Sequence, residues 1–530
     1  MPKIIKTLPK IYTLLFIILL FTFLLNNSLS YLDPDLGWHL RVGQEILEEK
    51  QVPHLEKYLY PLENIRWVDH EWLPNLISYI IYNNFGYFAL NIFFALIPIL
   101  AIAILLILSK KFFLLKNPPL ILSALLLGLG ALAMAPHLGI RMQEITLLFL
   151  ALLLLVLLQC NHKKNKKYPE NKNTLFFLPL LFMLWANLHG GFLIGFAVFG
   201  YYIFYQSILF IFKKTKNLKE IFFLIFIFIL SILATLITPY GIELYSFLTS
   251  YSDTFYMSHI NEWLPAFNYP IIYYQLFYNA LYVTILLLIF ADHKKNNIFK
   301  KYNFWHFTLT IIFFILAIKS RRHFPLFFIV SFPLTLKFLC ENLQLPKKWN
   351  EFIKANILIN FFFLSAILLT VFYFIFSIEI IKDPFFHKKF CKSVPCDAVK
   401  FLKSDKRFLD LKIFNNYNWG GYLDWTWSEK QLFSDGRLPM TELNGHSLLK
   451  ENYLFFEKDE SENKLNEYNI ELVHLKKYFP VKYNFFEKFF FGLNEEKANS
   501  HENHLENYLE ENKKWNNIYE DKISKIYIKN

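Results

Sequence analysis

Charge is scarce in this sequence. Lys, Arg, Asp and Glu together make 18% of 530 residues, and there are 16 glycines and 4 cysteines. So little charge excludes a disordered chain, which needs high polarity to stay open. So few cysteines exclude a disulfide-stapled secreted domain. No Walker loop, Gly-rich dinucleotide fingerprint, His-Glu-x-x-His or Gly-x-Ser-x-Gly element occurs. Those absences speak against an ATPase, a redox enzyme, a zincin and a serine hydrolase. No repeat of fixed period is present either.

What is abundant is apolar. Hydrophobic residues make 55% of the chain, with 60 Phe and 31 Tyr, which excludes a soluble globular enzyme. Long apolar runs dominate residues 1–378, whereas 379–530 is rich in Lys, Glu and Asn. The pattern predicts an α-helical polytopic membrane protein with a small C-terminal extracytoplasmic α/β domain. The membrane domain is 1–378, including a first outer loop at 28–85, and the polar domain is 379–530. Eleven runs approach the roughly 20 residues that a crossing needs: 11–27, 86–109, 119–135, 143–159, 174–188, 192–212, 220–238, 275–291, 304–319, 324–340 and 356–378. The first also reads as a signal peptide ending at Ser28-Leu29-Ser30; either way residue 31 lies across the membrane.

The net charge of +12 does not indicate nucleic acid. It sits in short clusters between apolar runs, where it orients spans and touches lipid headgroups. The alternate segments 1–10, 110–118, 160–173, 213–219, 292–303 and 341–355 carry 22 Lys/Arg, against 8 in the intervening loops with Lys319. The rule that positive loops stay inside therefore places the N-terminus in the cytoplasm and 379–530 outside, in a multi-pass protein of the plasma (inner) membrane. Inner loops are Lys/Asn filler such as 161–167. Outer loops hold acids, His, Trp and Gly-Pro punctuation, the pattern of a site that opens outward.

In the first outer loop, Asp33 suits an N-cap and Pro34 the first helical position. Leu36, Leu40, Ile46 and Leu47 supply the apolar stripe. Residues 72–83 read as a second amphipathic stretch, and 239–274 as an aromatic loop at the interface. Asp35 and His39, four apart, share a helix face. That pair suits a divalent cation, Mg or Mn, or a carboxylate that takes a proton from an attacking hydroxyl. The same acids also suit capping and the helix dipole. Asp69, His70 and Glu71 lie between Trp67 and Trp72, as further site groups or as interfacial acids facing water. Arg141, and Arg321-Arg322-His323, suit an anionic phosphate, or a nearby carboxylate. His189, beside Gly190-Gly191, is either a packed structural His or a substrate ligand.

Beyond 378, Ile413-Phe414, Gln431-Leu432-Phe433, Glu471-Leu472-Val473 and 525–528 read as strands, and 396–403 and 502–515 as helices. Trp419-Gly420-Gly421-Tyr422 and Ser434-Asp435-Gly436-Arg437 read as turns. Asp435 and Arg437 suit a sugar or each other. Cys391 and Cys396 flank Pro395, where a disulfide and two separate thiols are both open.

Taken in order, Asp33 to Leu40, Trp67 to Leu73, Arg141-Met142-Gln143, Trp185 to Phe192, Thr238 to Gly241, Glu262-Trp263-Leu264-Pro265 and Asp435-Gly436-Arg437 resemble a bacterial branch of the C-type (GT-C) membrane glycosyltransferases. The resemblance implies transfer of a sugar from a polyprenyl-phosphate donor to an acceptor on the outer face. It implies Asp35 as base, with Asp33, Asp69 and Glu71 as the other catalytic acids. His39, His70, Arg141, His189, Arg321 and Arg322 would bind substrate, and Asp35 with His39 any metal. The alternatives are a transporter or flippase of a lipid-linked saccharide, and a non-catalytic envelope protein.

Overall fold

The computed structural model describes residues 3–111, 120–160, 172–212, 218–250, 254–292, 304–342, 357–500 and 503–530. The basic segments that the charge count assigns to the inner side, among them 161–167, lie largely outside these residues. The chain is mostly helical and forms two compact units. One is residues 1–30, 88–242 and 261–380; the other is residues 31–87, 243–260 and 381–530.

The first unit is built of apolar helices. A backbone that cannot reach water must close its own hydrogen bonds, and in an all-apolar segment the helix does so. Six described helices of the chain are long and apolar enough to cross a membrane, and five shorter apolar helices accompany them. The chain is therefore a membrane protein. The helix Phe324–Asn342 is the most enclosed. A Cβ at Gly130 would stand 2.0 Å from the Phe328 ring, so only glycine admits that ring. Buried hydroxyls pair across helices: Tyr278 with Ser331 at 2.9 Å, and Tyr282 with Thr310 at 2.5 Å. Asn26 donates to the Phe374 carbonyl at 2.8 Å, joining the first apolar helix to the last.

The second unit resumes at Ile381, close to the boundary expected near 378, and also takes in residues 31–87 and 243–260. The first outer loop folds with the C-terminal segment. Its helix, Leu36–Glu49, buries Leu36, Trp38, His39, Leu40, Val42 and Ile46, while Leu47 is exposed. That face lies on a helix Gly420–Thr426, where a turn was expected. Two glycines make the approach: a Cβ at Gly37 would stand 1.9 Å from the Gly421 carbonyl oxygen, and one at Gly421 2.4 Å from that of Pro34. Asp33 is not the N-cap. The helix starts two residues later with Asp35 at the cap position, and the Asp33 carboxylate accepts from the Asp35 amide at 3.0 Å. The aspartate thus closes a turn just ahead of the helix.

Four strands make the sheet: β1 (Ile413–Asn415), β4 (Leu472–Lys476), β5 (Trp515–Glu520) and β6 (Ser524–Lys529), in the order β1-β4-β6-β5. The first pair is parallel and the other two antiparallel. Helices at Cys396–Ser404 and His504–Glu511 appear where expected. Residues 431–433 are not a strand; only Leu432 bridges, in parallel, to Leu59 of the first loop. A two-residue hairpin joins β2 (Glu442–Leu443) to β3 (His446–Ser447). Asn444 and Gly445 both have positive φ there, as a type I′ turn demands. Cys391 and Cys396 form a disulfide.

Replacing Gly37 by Ala puts a methyl group into the Gly421 backbone. We expect a loss of about 1–3 kcal/mol, the usual effect of overpacking, seen as earlier thermal unfolding and faster trypsin cleavage within 381–530. Unchanged resistance would show that the two helices do not depend on this contact.

Candidate functional site

The sequence candidates divide between the two units. Asp33, Asp35, His39, Asp69, His70 and Glu71 lie in the second; Arg141, His189, Arg321 and Arg322 lie in the first.

In the second unit, Asp35 lies half-buried at the start of its helix. Its Oδ1 accepts from Trp38 Nε1 at 3.1 Å, and a Cβ at Gly436 would meet that oxygen at 2.2 Å. A side chain at 436 would thus collide with the carboxylate. Asp69 is buried and acts differently. Its Oδ1 accepts from the Glu71 amide at 3.1 Å, at the head of the helix starting at Trp72, and its Oδ2 from Asn75 Nδ2 at 2.9 Å. Asn75 Oδ1 lies 2.6 Å from His39 Nδ1. The result is a buried chain, Asp69–Asn75–His39, that ties the two helices of the first loop. Burial pushes the Asp69 carboxyl up to about 6 despite its hydrogen bonds and the charge of Arg437. Burial pushes His39 down to about 4. His39 is thus a neutral structural link. Glu71 and His70 are partly exposed and 3.7 Å apart, and the His70 ring packs on Phe247.

Beneath them lies a cluster that the sequence did not reveal. Arg437 is buried and grips two carboxylates. It donates to Glu56 at 2.9 and 3.0 Å and to Asp435 at 2.8 and 2.6 Å. Its guanidinium also stacks on Tyr58 and Trp67, at 4.2 and 4.7 Å from the ring centres. Asp435 and Arg437 therefore pair with each other. Glu56 and Asn75 stand in no motif, and only burial identifies them; Arg437 at least sits in a polar turn flanked by apolar residues.

A cavity of about 450 Å³ opens beside this cluster. Its walls include Arg66, Glu243, Ser246, Phe247, Arg437 and Met440. The Arg66–Glu243 ion pair at 2.8 Å is exposed on its wall. The segment 436–442 thus touches Asp35 at one end and lines this cavity along the rest.

In the first unit, Arg141 and Arg322 both bond Glu262, Arg322 at 3.4 Å, and Arg322 stacks on Trp263 at 5.1 Å. Arg321 differs. Its buried guanidinium donates to the carbonyls of Pro270, Asn268 and Tyr269 at 2.6, 3.2 and 3.4 Å. It clamps a loop. His189 is held by its neighbours as well. Its Nδ1 accepts from the Gly191 amide at 2.9 Å and lies 2.8 Å from the Thr146 hydroxyl, which accepts from Trp185 Nε1. Among the described residues no three His, Cys, Asp or Glu side chains converge to hold a metal. Asp35 and His39, the expected pair, are bonded to Trp38 and Asn75.

The two buried titrating groups of the first loop give opposite pH slopes. Asp69, raised from 3.8 to about 6, contributes stability below pH 4 that is lost as pH rises through 6. His39, lowered from 6.5 to about 4, contributes stability above pH 6.5 that is lost as pH falls through 4. Each swing is on the order of 3 kcal/mol. Relative to wild type, Asp69→Asn should lose stability on acidification from pH 6.5 to 4, and His39→Gln should gain it. Hydrogen-exchange protection of 36–49 and 72–83 reads both slopes. Parallel slopes in the two variants would contradict the burial argument.

No protein-family model matches the chain, and no curated protein matches it in sequence. Among solved structures, the chain is similar to the apo crystal structure of the oligosaccharyltransferase of Archaeoglobus fulgidus. The two are 12% identical with a TM-score of 0.54, over 87% of this chain and 69% of that one. At that identity the likeness is one of fold. It is to an archaeal enzyme, so it lends nothing to a bacterial branch. The chain has a membrane fold like that of this oligosaccharyltransferase.

Proposed function

We propose that this protein is a membrane glycosyltransferase. It moves a sugar from a polyprenyl-phosphate-linked donor to an acceptor hydroxyl on the outer face of the membrane. The fold shared with an oligosaccharyltransferase supports membrane glycosyl transfer in general, but a fold alone hosts many chemistries. The observation that carries the reading is Asp35. Its carboxylate is oriented by Trp38, left partly exposed, and set so close to Gly436 that any side chain there would collide with it.

In the proposed reaction the acceptor oxygen attacks the anomeric carbon and the carbon–oxygen bond to the lipid phosphate breaks. The phosphate leaves with the bonding electron pair. Asp35 takes the acceptor proton, for which its orientation by a neutral indole donor suits it. The cavity walled by Ser246, Phe247 and Met440 is offered as the acceptor seat, with hydroxyls for hydrogen bonds and a ring for a sugar face. Asp33, Asp69 and Glu71 take no proton in this scheme. Asp33 and Asp69 shape the backbone, and Glu71 with His70 lies at the cavity side near Phe247.

The test is transfer of label from a pool of lipid-linked sugars by the purified protein in lipid, with a mixture of acceptors. Wild type should transfer, and Asp35→Asn should lose about 10²-fold or more, as removal of a general base does. Equal transfer by the two would take Asp35 out of the chemistry. No transfer by wild type across the whole donor and acceptor set would overturn the reading.

A further inference from the structure

The second unit carries an apolar surface that its own fold leaves uncovered. The short helix Phe485–Phe491 and the strand-like stretch before it expose Tyr478, Phe479, Phe485, Phe486, Phe489 and Phe490, with Phe485 and Phe489 at 79% and 70%. Contiguous aromatic exposure of this kind marks a contact surface. The rings are held out by a rigid frame. Asn484 and Glu487 form a reciprocal capping box at 2.9 and 2.8 Å, and Gly492 ends the helix with φ of 63°. The approach to the helix is pinned as well. The Tyr483 amide donates to Glu495 at 2.6 Å, and Val481 exchanges two bonds with Asn499 at 2.7 and 3.0 Å. Phe485 stacks on Phe489 and Phe486 packs on Phe490, so the rings present a paired set.

We propose that this surface docks into the lipid–water interface of the bilayer that holds the same chain. Three observations favour lipid over a protein partner. Phe and Tyr on a fixed helix are what an interfacial anchor uses, since the headgroup boundary takes up aromatic rings of any orientation. The exposed charge along 476–492 is basic, namely Lys476, Lys482 and Lys488, with Lys488 also meeting Glu495 at 3.0 Å. The one acid of that stretch, Glu487, is turned inward to cap the helix. A basic rim around aromatics complements anionic headgroups. Finally, the chain passes between the two units five times, so this unit is covalently tied to a membrane-inserted one at every passage. The patch has a bilayer within reach in every molecule. It would steady the unit that carries Asp35 at the interface, where a lipid-linked donor presents its headgroup; that consequence rests on the proposed function, and the docking itself does not.

The test uses the full chain with Cys160 and Cys340 changed to Ser and the Cys391–Cys396 bridge kept. Phe489→Cys carries an NBD fluorophore, and the protein is placed in phosphatidylcholine vesicles with or without phosphatidylglycerol. Docking predicts blue-shifted NBD emission, and loss of that emission when nitroxide-labelled lipid is included. The loss should grow with phosphatidylglycerol and shrink when Lys476 and Lys482 become Glu. A fluorophore at exposed Lys406→Cys should show neither effect, and unchanged elution on gel filtration checks that the label leaves the fold intact. Water-like emission at 489 without lipid quenching would overturn the proposal. Blue-shifted emission without lipid quenching would overturn it too, because the rings would then be covered by protein, a second copy among the possibilities. Transfer activity plays no part in these readings, so failure here and failure of the glycosyltransferase reading are separable.

Discussion

The second unit depends on one buried cation. Arg437, 381 residues beyond Glu56 of the first loop, joins that glutamate to Asp435 of the C-terminal segment, with paired bonds to each carboxylate. Three charges inside a protein are a liability unless every donor and acceptor is satisfied. Here the geometry supplies that. Glu56 also accepts from the amides of Tyr58 and Leu59 at 2.6 and 2.8 Å, and the guanidinium faces are covered by Tyr58 and Trp67. The bonds from Arg437 to Glu56 exist only when both segments are in place. The first loop and residues 381–530 therefore form one unit, although more than 290 residues of mostly apolar helix separate them in sequence.

That coupling sorts the acids. Asp33, Asp35, Asp69 and Glu71 look alike in a sequence, and an Asp-x-Asp element invites one role for both its members. The fold assigns different work to each. Asp33 closes a turn, and Asp69 links two helices through Asn75 and carries a raised carboxyl. Asp35 is the one that is both oriented by a neutral donor and set against a glycine of the distant segment. Gly436 is next to Arg437, so the ion cluster that holds the two segments together also sets the distance in front of Asp35. Structure and chemistry meet in three consecutive residues, Asp435, Gly436 and Arg437.

Much of the helical framework was legible because membrane crossing imposes a one-dimensional rule: an apolar run of sufficient length becomes a helix. The strands at 413–415, 472–476 and 524–529 were legible from short β-branched and aromatic runs. What failed did so for tertiary reasons. Gln431-Leu432-Phe433 has the composition of a strand, yet its only backbone partner is the first loop, which supplies a single bridge. Trp419 to Tyr422 reads as a turn because two glycines disfavour a helix. Here Gly421 is needed for close packing against Pro34 and Gly37, and Gly420 against Ser434 and Asp435; burial of Tyr422 and Leu423 overrides propensity. The Asn444-Gly445 hairpin was readable from its turn chemistry and was overlooked. For the site, the outward-facing acids were visible and their division of labour was not. Arg321 shows why: a guanidinium beside another looks like a phosphate clamp, whereas three loop carbonyls absorb it.

The charge count inside the cluster completes the argument. Arg41 and Arg437 bring two positive charges, and Glu56 and Asp435 two negative ones; Arg41 approaches Asp424 to 3.7 Å. Burial and the neighbouring charge of Asp435 push the Asp424 carboxyl well above the usual carboxylate range. Arg437 is held firmly charged by the same carboxylates. Opposite charges held this close, with their hydrogen bonds satisfied, offset part of the penalty of burying the cluster.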